Sequence, residues 1–122
     1  MKKIAILINT YTEFDFLVSS LIKLIDRFWE NHPPIFVIGT NRVFPNANSI
    51  ISEGKTLKNW VSNYYEGLKQ LERDGFDSFY LILDDLHPIG PCNAEYLNYE
   101  LPQQAEEFNA GYVYLMGHLV VH

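Results

Sequence analysis

Three unbroken apolar runs constrain this chain more than any other feature. They are residues 4–8 (Ile-Ala-Ile-Leu-Ile), 35–38 (Ile-Phe-Val-Ile) and 79–83 (Phe-Tyr-Leu-Ile-Leu). None alternates apolar with polar residues, and each is shorter than a typical helix. A short continuous run of this kind reads as a strand buried on both faces, as in parallel sheets. Helical periodicity fills the gaps between them. Phe14, Leu17, Val18, Leu21, Ile25 and Phe28 recur on one face, and so do Leu57, Trp60, Val61, Tyr64, Leu68 and Leu71. Strand, helix, strand, loop, helix, strand, helix is the order of βαβ units. It predicts an α/β fold, a three-layer Rossmann-like parallel sheet with right-handed crossovers.

The expected strands lie near residues 3–9, 35–39 and 79–84, and the helices near 14–30 and 56–73. Thr12 and Asp15 make a capping-box variant before the first helix. His32-Pro33-Pro34 ends it. Residues 42–54, with Pro45, two Asn and two Ser, read as loop with a short strand near Ile50-Ile51. Short helices are expected from Ala94 and from Pro102, and a last strand over residues 112–116.

A length of 122 residues fits one domain, 1–122, and 48 % hydrophobic residues supply its core. Fifteen acids against nine bases leave a formal charge of -6, which argues against a general nucleic-acid binder. Cys92 is the only cysteine, so no internal disulfide can form, and a reducing compartment fits. No window reaches the roughly 18 apolar residues of a transmembrane segment. The run at residues 4–8 is too short for a signal sequence. A soluble cytoplasmic protein is the expectation. The aromatic content, 15 %, also suggests an exposed apolar face and self-association as a homo-oligomer.

In such a sheet the carboxyl ends of the strands gather Asn9-Thr10-Tyr11, Gly39-Thr40-Asn41 and Asp84-Asp85 along one edge, where ligands bind. Adjacent like charges are unfavourable unless a cation shares them. Asp84 and Asp85 therefore point to Mg²⁺ or Mn²⁺ with a phosphate on its far side. The competing reading has one Asp capping the following turn and the other solvated. His87 could add a nitrogen ligand, although a histidine before proline is more often a solvated loop residue. Thr10, Tyr11, Glu13 and Asp15 form a polar cluster. Tyr11 could stack on a flat base while an acid accepts from its N–H edge; equally, the acids could simply favour a helix N-terminus.

Residues 49–56 (Ser-Ile-Ile-Ser-Glu-Gly-Lys-Thr) approach a phosphate loop with Ser49 in the first glycine position. No apolar strand leads into them, so Gly54 reads as a turn, with Lys55, Lys58 and Arg42 as candidate phosphate partners. Cys92 lacks a thiol partner and thiolate-lowering neighbours in sequence. The four histidines lack metal-site spacing.

The order of elements in residues 3–100 resembles the N-terminal half of a GT-A glycosyltransferase, a nucleotide-diphospho-sugar transferase. Asn9-Thr10-Tyr11 matches that family's first-strand loop, and Asp84-Asp85 matches its acidic D-x-D-type motif. The resemblance implies a truncated GT-A nucleotide-sugar-binding domain. It implies a nucleotide site at Thr10, Tyr11, Glu13, Asn41 and Asp84. It also implies Mn²⁺ or Mg²⁺ held by Asp84 and Asp85, and a nucleotide-sugar donor as partner. Here the second strand ends in Gly39-Thr40-Asn41, where the family often has an acid, and the acidic motif has Leu86 in its third position. The acceptor and catalytic residues are not assigned, and the resemblance implies a domain that is incomplete or inactive as a transferase. The alternative is a non-catalytic interaction domain with a vestigial nucleotide pocket. A receiver-like phospho-acceptor domain needs acids after the first strand, where Asn9-Thr10 stand instead.

Overall fold

β1 (Ile4–Asn9) is the centre of the molecule, and every residue from Ala5 to Asn9 is buried. The computed structural model describes residues 3–84, 88 and 90–107. The expectations at Asp85, His87, His118, His122 and residues 112–116 fall outside them. β1 pairs in parallel with β2 (Ile35–Ile38) on one side and with β4 (Ser78–Leu83) on the other. β3 (Asn48–Ile50) joins beyond β2, so the order is β3-β2-β1-β4, all parallel. The fold is α/β and compatible with a Rossmann-like domain.

The apolar runs of β1 and β2 become inner strands because both faces of the sheet are covered there. Ile6, Ile8, Ile35 and Val37 pack against Val18, Leu21, Ile22 and Ile25 of helix α1 (Phe16–Phe28). Ala5, Leu7 and Ile38 face the other way, onto Leu71 and the half-buried Tyr64 and Leu68 of helix α2 (Trp60–Arg73). A single 3₁₀ turn, Leu57–Asn59, leads into α2 behind a reciprocal capping box between Thr56 and Asn59. Parallel strands β2 and β3 are joined without a helix. Phe44, 5 % exposed, fills the α1 layer from that loop.

Several expectations need correction. The run at residues 79–83 is not buried on both faces. β4 has one neighbour among the described residues, every residue in it is at least partly exposed, and Leu81 is 37 % exposed. Leu57 and Val61 are not on the packed face of α2; they are 61 % and 59 % exposed. Asn63, Gly67 and Leu71 are its buried residues instead. Gly67 decides this. A Cβ there would stand 3.1 Å from Cδ2 of Leu7, so the bare glycine lets the helix settle onto β1 along that line. Phe14 precedes α1 and is 41 % exposed.

The two short helices expected after residue 94 are one continuous unit. A π-helical turn, Tyr96–Glu100, runs directly into α3 (Leu101–Glu107). Pro102 has no N–H for the carbonyl of Asn98, and its ring crowds that carbonyl. The preceding turn widens, and the Leu101 amide donates to the Tyr96 carbonyl five residues back. The unit is tied down on the α1 side. Trp29 Nε1 donates to Asn98 Oδ1 over 2.7 Å, while Asn98 Nδ2 donates to the carbonyls of Glu30 and Asn31 at the end of α1. The Tyr80 hydroxyl donates to the Leu97 carbonyl over 2.6 Å. Burial pushes the Tyr80 phenol above its ordinary range, with a smaller contribution from Tyr96.

Candidate functional site

The connections around β1 and β4 leave on opposite faces of the sheet. β1 passes through α1 to β2; β4 is reached from β3 through α2. Their carboxyl ends therefore lie at the topological switch point, the place where open α/β sheets bind ligands. The parallel register pairs Asn9 with Leu83, so the next residues, Thr10 and Asp84, come opposite each other. Side chains alternate along a strand, so both follow Ile8 and Ile82 onto the α1 side. The Thr10 hydroxyl donates to Asp84 Oδ2 over 2.6 Å.

The expected site residues separate into two groups. Thr10 is fully buried, whereas Asp84 is half-buried. The threonine side chain therefore faces Asp84 rather than solvent. Tyr11 is half-buried and meets Phe14 edge to face, with ring centres 5.2 Å apart. Glu13 and Asn41 lie on the loops after β1 and β2 and are exposed. No hydrogen bond among the described residues joins either of them to Thr10 or Asp84. Asp85, the second expected cation ligand, lies outside the described residues.

The loops at this edge of the sheet are knitted together. The amide of Thr10 donates to the carbonyl of Ile38, and the amide of Thr12 to that of Lys55. Gly39, at φ 105°, permits the first contact: a Cβ there would stand 1.9 Å from the Thr10 carbonyl oxygen. Asn9 Nδ2 donates to the carbonyl of Trp60 at the start of α2, over 2.9 Å. Its Oδ1 is buried without a donor among the described residues.

Asp15 is a structural carboxylate that the sequence places in a cap. Its side chain makes no capping bond to α1. At 5 % exposure, it accepts from the Thr40 hydroxyl over 2.6 Å and lies 3.4 Å from an Arg42 guanidinium nitrogen. The Thr40 hydroxyl accepts in turn from the Arg42 amide over 3.0 Å. A charge buried this far needs such partners. Nothing in local spacing linked Asp15 to Thr40, because α1 and β2 separate them.

Of the candidate phosphate partners, Lys55 is turned inward, its Nζ donating to the carbonyls of Ser52 and Glu53. Gly54 accepts at its carbonyl from Ser52 and Asn63. That loop bonds to itself instead of leaving its groups open in the way a phosphate loop does. Arg42 keeps a side chain 56 % exposed, and Lys58 is exposed at the entry to α2. Cys92 is half-buried, and burial pushes its thiol up, away from the reactive thiolate.

Among the described residues no group of three or more His, Cys, Asp or Glu could hold a metal ion. Asp84 contributes one carboxylate there, with one oxygen already accepting from Thr10. One carboxylate supplies few of the roughly six oxygen ligands that Mg²⁺ takes. No described helix is long and apolar enough to cross a membrane. Comparisons with protein-family models, curated proteins and solved structures find no match.

Proposed function

We propose that the carboxyl edge of the sheet at β1 and β4 binds a nucleotide-diphospho-sugar with Mn²⁺ or Mg²⁺, in the manner of a GT-A glycosyltransferase. The observation that carries this reading is the Thr10–Asp84 bond, which aims a carboxylate from the carboxyl end of β4 at the switch point. Asp84 and Asp85 hold the cation together with the two phosphates. The bound cation offsets charge on the diphosphate as leaving group. Tyr11 lies against the base, and Glu13 and Asn41 supply polar contacts at the rim. Thr10 is a positioning residue: being buried, it acts through Asp84. The acceptor and the catalytic base remain unassigned. A single cysteine suits a reducing compartment, and this reading puts the domain in the cytoplasm.

Calorimetric titration with UDP-, GDP- and dTDP-sugars, each with and without Mn²⁺, tests the proposal. Metal and nucleotide should tighten one another by the same factor, because coupling is reciprocal. Asp85→Asn should abolish that coupling. Nucleotide affinity indifferent to Mn²⁺, or no nucleotide binding, leaves the non-catalytic interaction domain as the better account.

A further inference from the structure

Arg42 follows Asn41 on the loop after β2, and its side chain is anchored yet 56 % exposed. Its amide donates to the Thr40 hydroxyl, and one guanidinium nitrogen lies 3.4 Å from Oδ1 of the buried Asp15. That carboxylate belongs to the same loop as Tyr11. The Tyr11 carbonyl accepts from the Phe14 amide, and Asp15 comes next. The loops after β1 and β2 are thus joined twice, here and where Gly39 closes on the Thr10 carbonyl.

Strand order arranges the site residues in a row. Asp84 follows β4, Tyr11 follows β1 and Arg42 follows β2, with β1 between the other two. Adjacent strands are about 4.8 Å apart, so β4 and β2 end about 10 Å from each other. In the nucleotide-sugar reading, on which this inference rests, the diphosphate is tied to the cation at Asp84. The base lies against Tyr11, and its far edge then falls to Arg42. Charge agrees with that order. Asp15 already balances the guanidinium, so Arg42 brings hydrogen-bond donors without uncompensated positive charge. Such a group suits the neutral edge of a base better than a phosphate.

We propose that Arg42 selects guanine, so that the ligand is a guanosine-diphospho-sugar. A guanidinium is a planar fork of donors with no acceptor, and it pairs best with two acceptors side by side. Guanine presents O6 and N7 in that way. Uracil and thymine set an N–H donor between their two carbonyls, and adenine sets its amino group beside N7. Either arrangement leaves a donor facing a donor. Cytosine has adjacent acceptors at N3 and O2, but that pair begins beside the ribose, on the near side of the base.

Calorimetric titration of the full chain with GDP, CDP, UDP and dTDP in saturating Mn²⁺ is the test, on wild type, Arg42→Gln and Arg42→Lys. Wild type should bind GDP about tenfold more tightly than UDP, in the range of one bidentate base contact. 7-Deaza-GDP, which lacks the N7 acceptor, should lose most of that advantage. In both variants GDP should fall to the UDP level while UDP is unaffected, because lysine keeps the charge and not the fork. An equal loss for all four nucleotides assigns Arg42 to the phosphates and overturns the proposal. So does a wild type that binds nucleotides without preferring GDP, or that binds 7-deaza-GDP as tightly as GDP. Those wild-type comparisons decide alone if the variants do not fold. A wild type that binds no nucleotide refutes the nucleotide-sugar reading itself, and this inference with it.

Discussion

Thr10 and Asp84, 74 residues apart in sequence, are joined by a 2.6 Å hydrogen bond across the carboxyl ends of β1 and β4. The bond follows from register. Once Ile8 lies opposite Ile82 in a parallel pair, the residues two further on meet on the same face. A fully buried hydroxyl thereby fixes the direction of a half-buried carboxylate.

Thr10→Val removes the donor while keeping the shape. It should lower stability by about 2 kcal/mol, in the range of hydrogen bonds to charged groups. Thr10→Ser should recover most of that loss. Urea unfolding of the three proteins measures both effects, and a valine variant as stable as wild type would show that the bond contributes nothing.

Gly39→Ala should be among the most damaging small substitutions in the domain. The added methyl group meets the Thr10 carbonyl oxygen at 1.9 Å, and the backbone there has φ 105°. Relief requires moving the loop after β1 away from β2. A loss on the order of 3 kcal/mol or more is expected in chemical denaturation.

Asp15→Ala and Thr40→Val each break the same buried hydrogen bond, and each should cost about 2 kcal/mol. Because the partners act as a unit, the double variant should lose clearly less than the sum. Additive losses in a double-mutant cycle would contradict the coupling.

Tyr80 gives the domain an alkaline limit. Its phenol ionises at higher pH in the folded than in the unfolded chain, because burial disfavours the charged form. The resulting stability is complete below the unfolded value, about 10, and is lost as pH rises above it. Tyr80→Phe should cost about 1 kcal/mol at neutral pH through the unpaired Leu97 carbonyl. It should also flatten the fall in stability between about pH 10 and 12. Thermal unfolding across that range, wild type against variant, checks the sign.

The strands at residues 4–9, 35–38 and 78–83 were legible because unbroken apolar runs bounded by turns have few other ways to bury themselves. The convergence of the strand-end residues on one edge followed from the parallel sheet that the alternation implies. Other features depended on tertiary contacts. Helical period shows that Leu57, Val61, Leu68 and Leu71 share a broad stripe, but not which arc of it meets the sheet. That arc is set by the close approach of Gly67 to Leu7. Adjacency of β4 to β1 came from the path of α2 across the opposite face, which no local pattern encodes. The same crossing left an apolar strand at the border of the described sheet. Asp15 read as a helix cap because local spacing offered it only its own helix. In the folded chain Thr40 and Arg42 hold it instead, and a buried carboxylate is held more strongly by a hydroxyl and a guanidinium than by backbone amides alone.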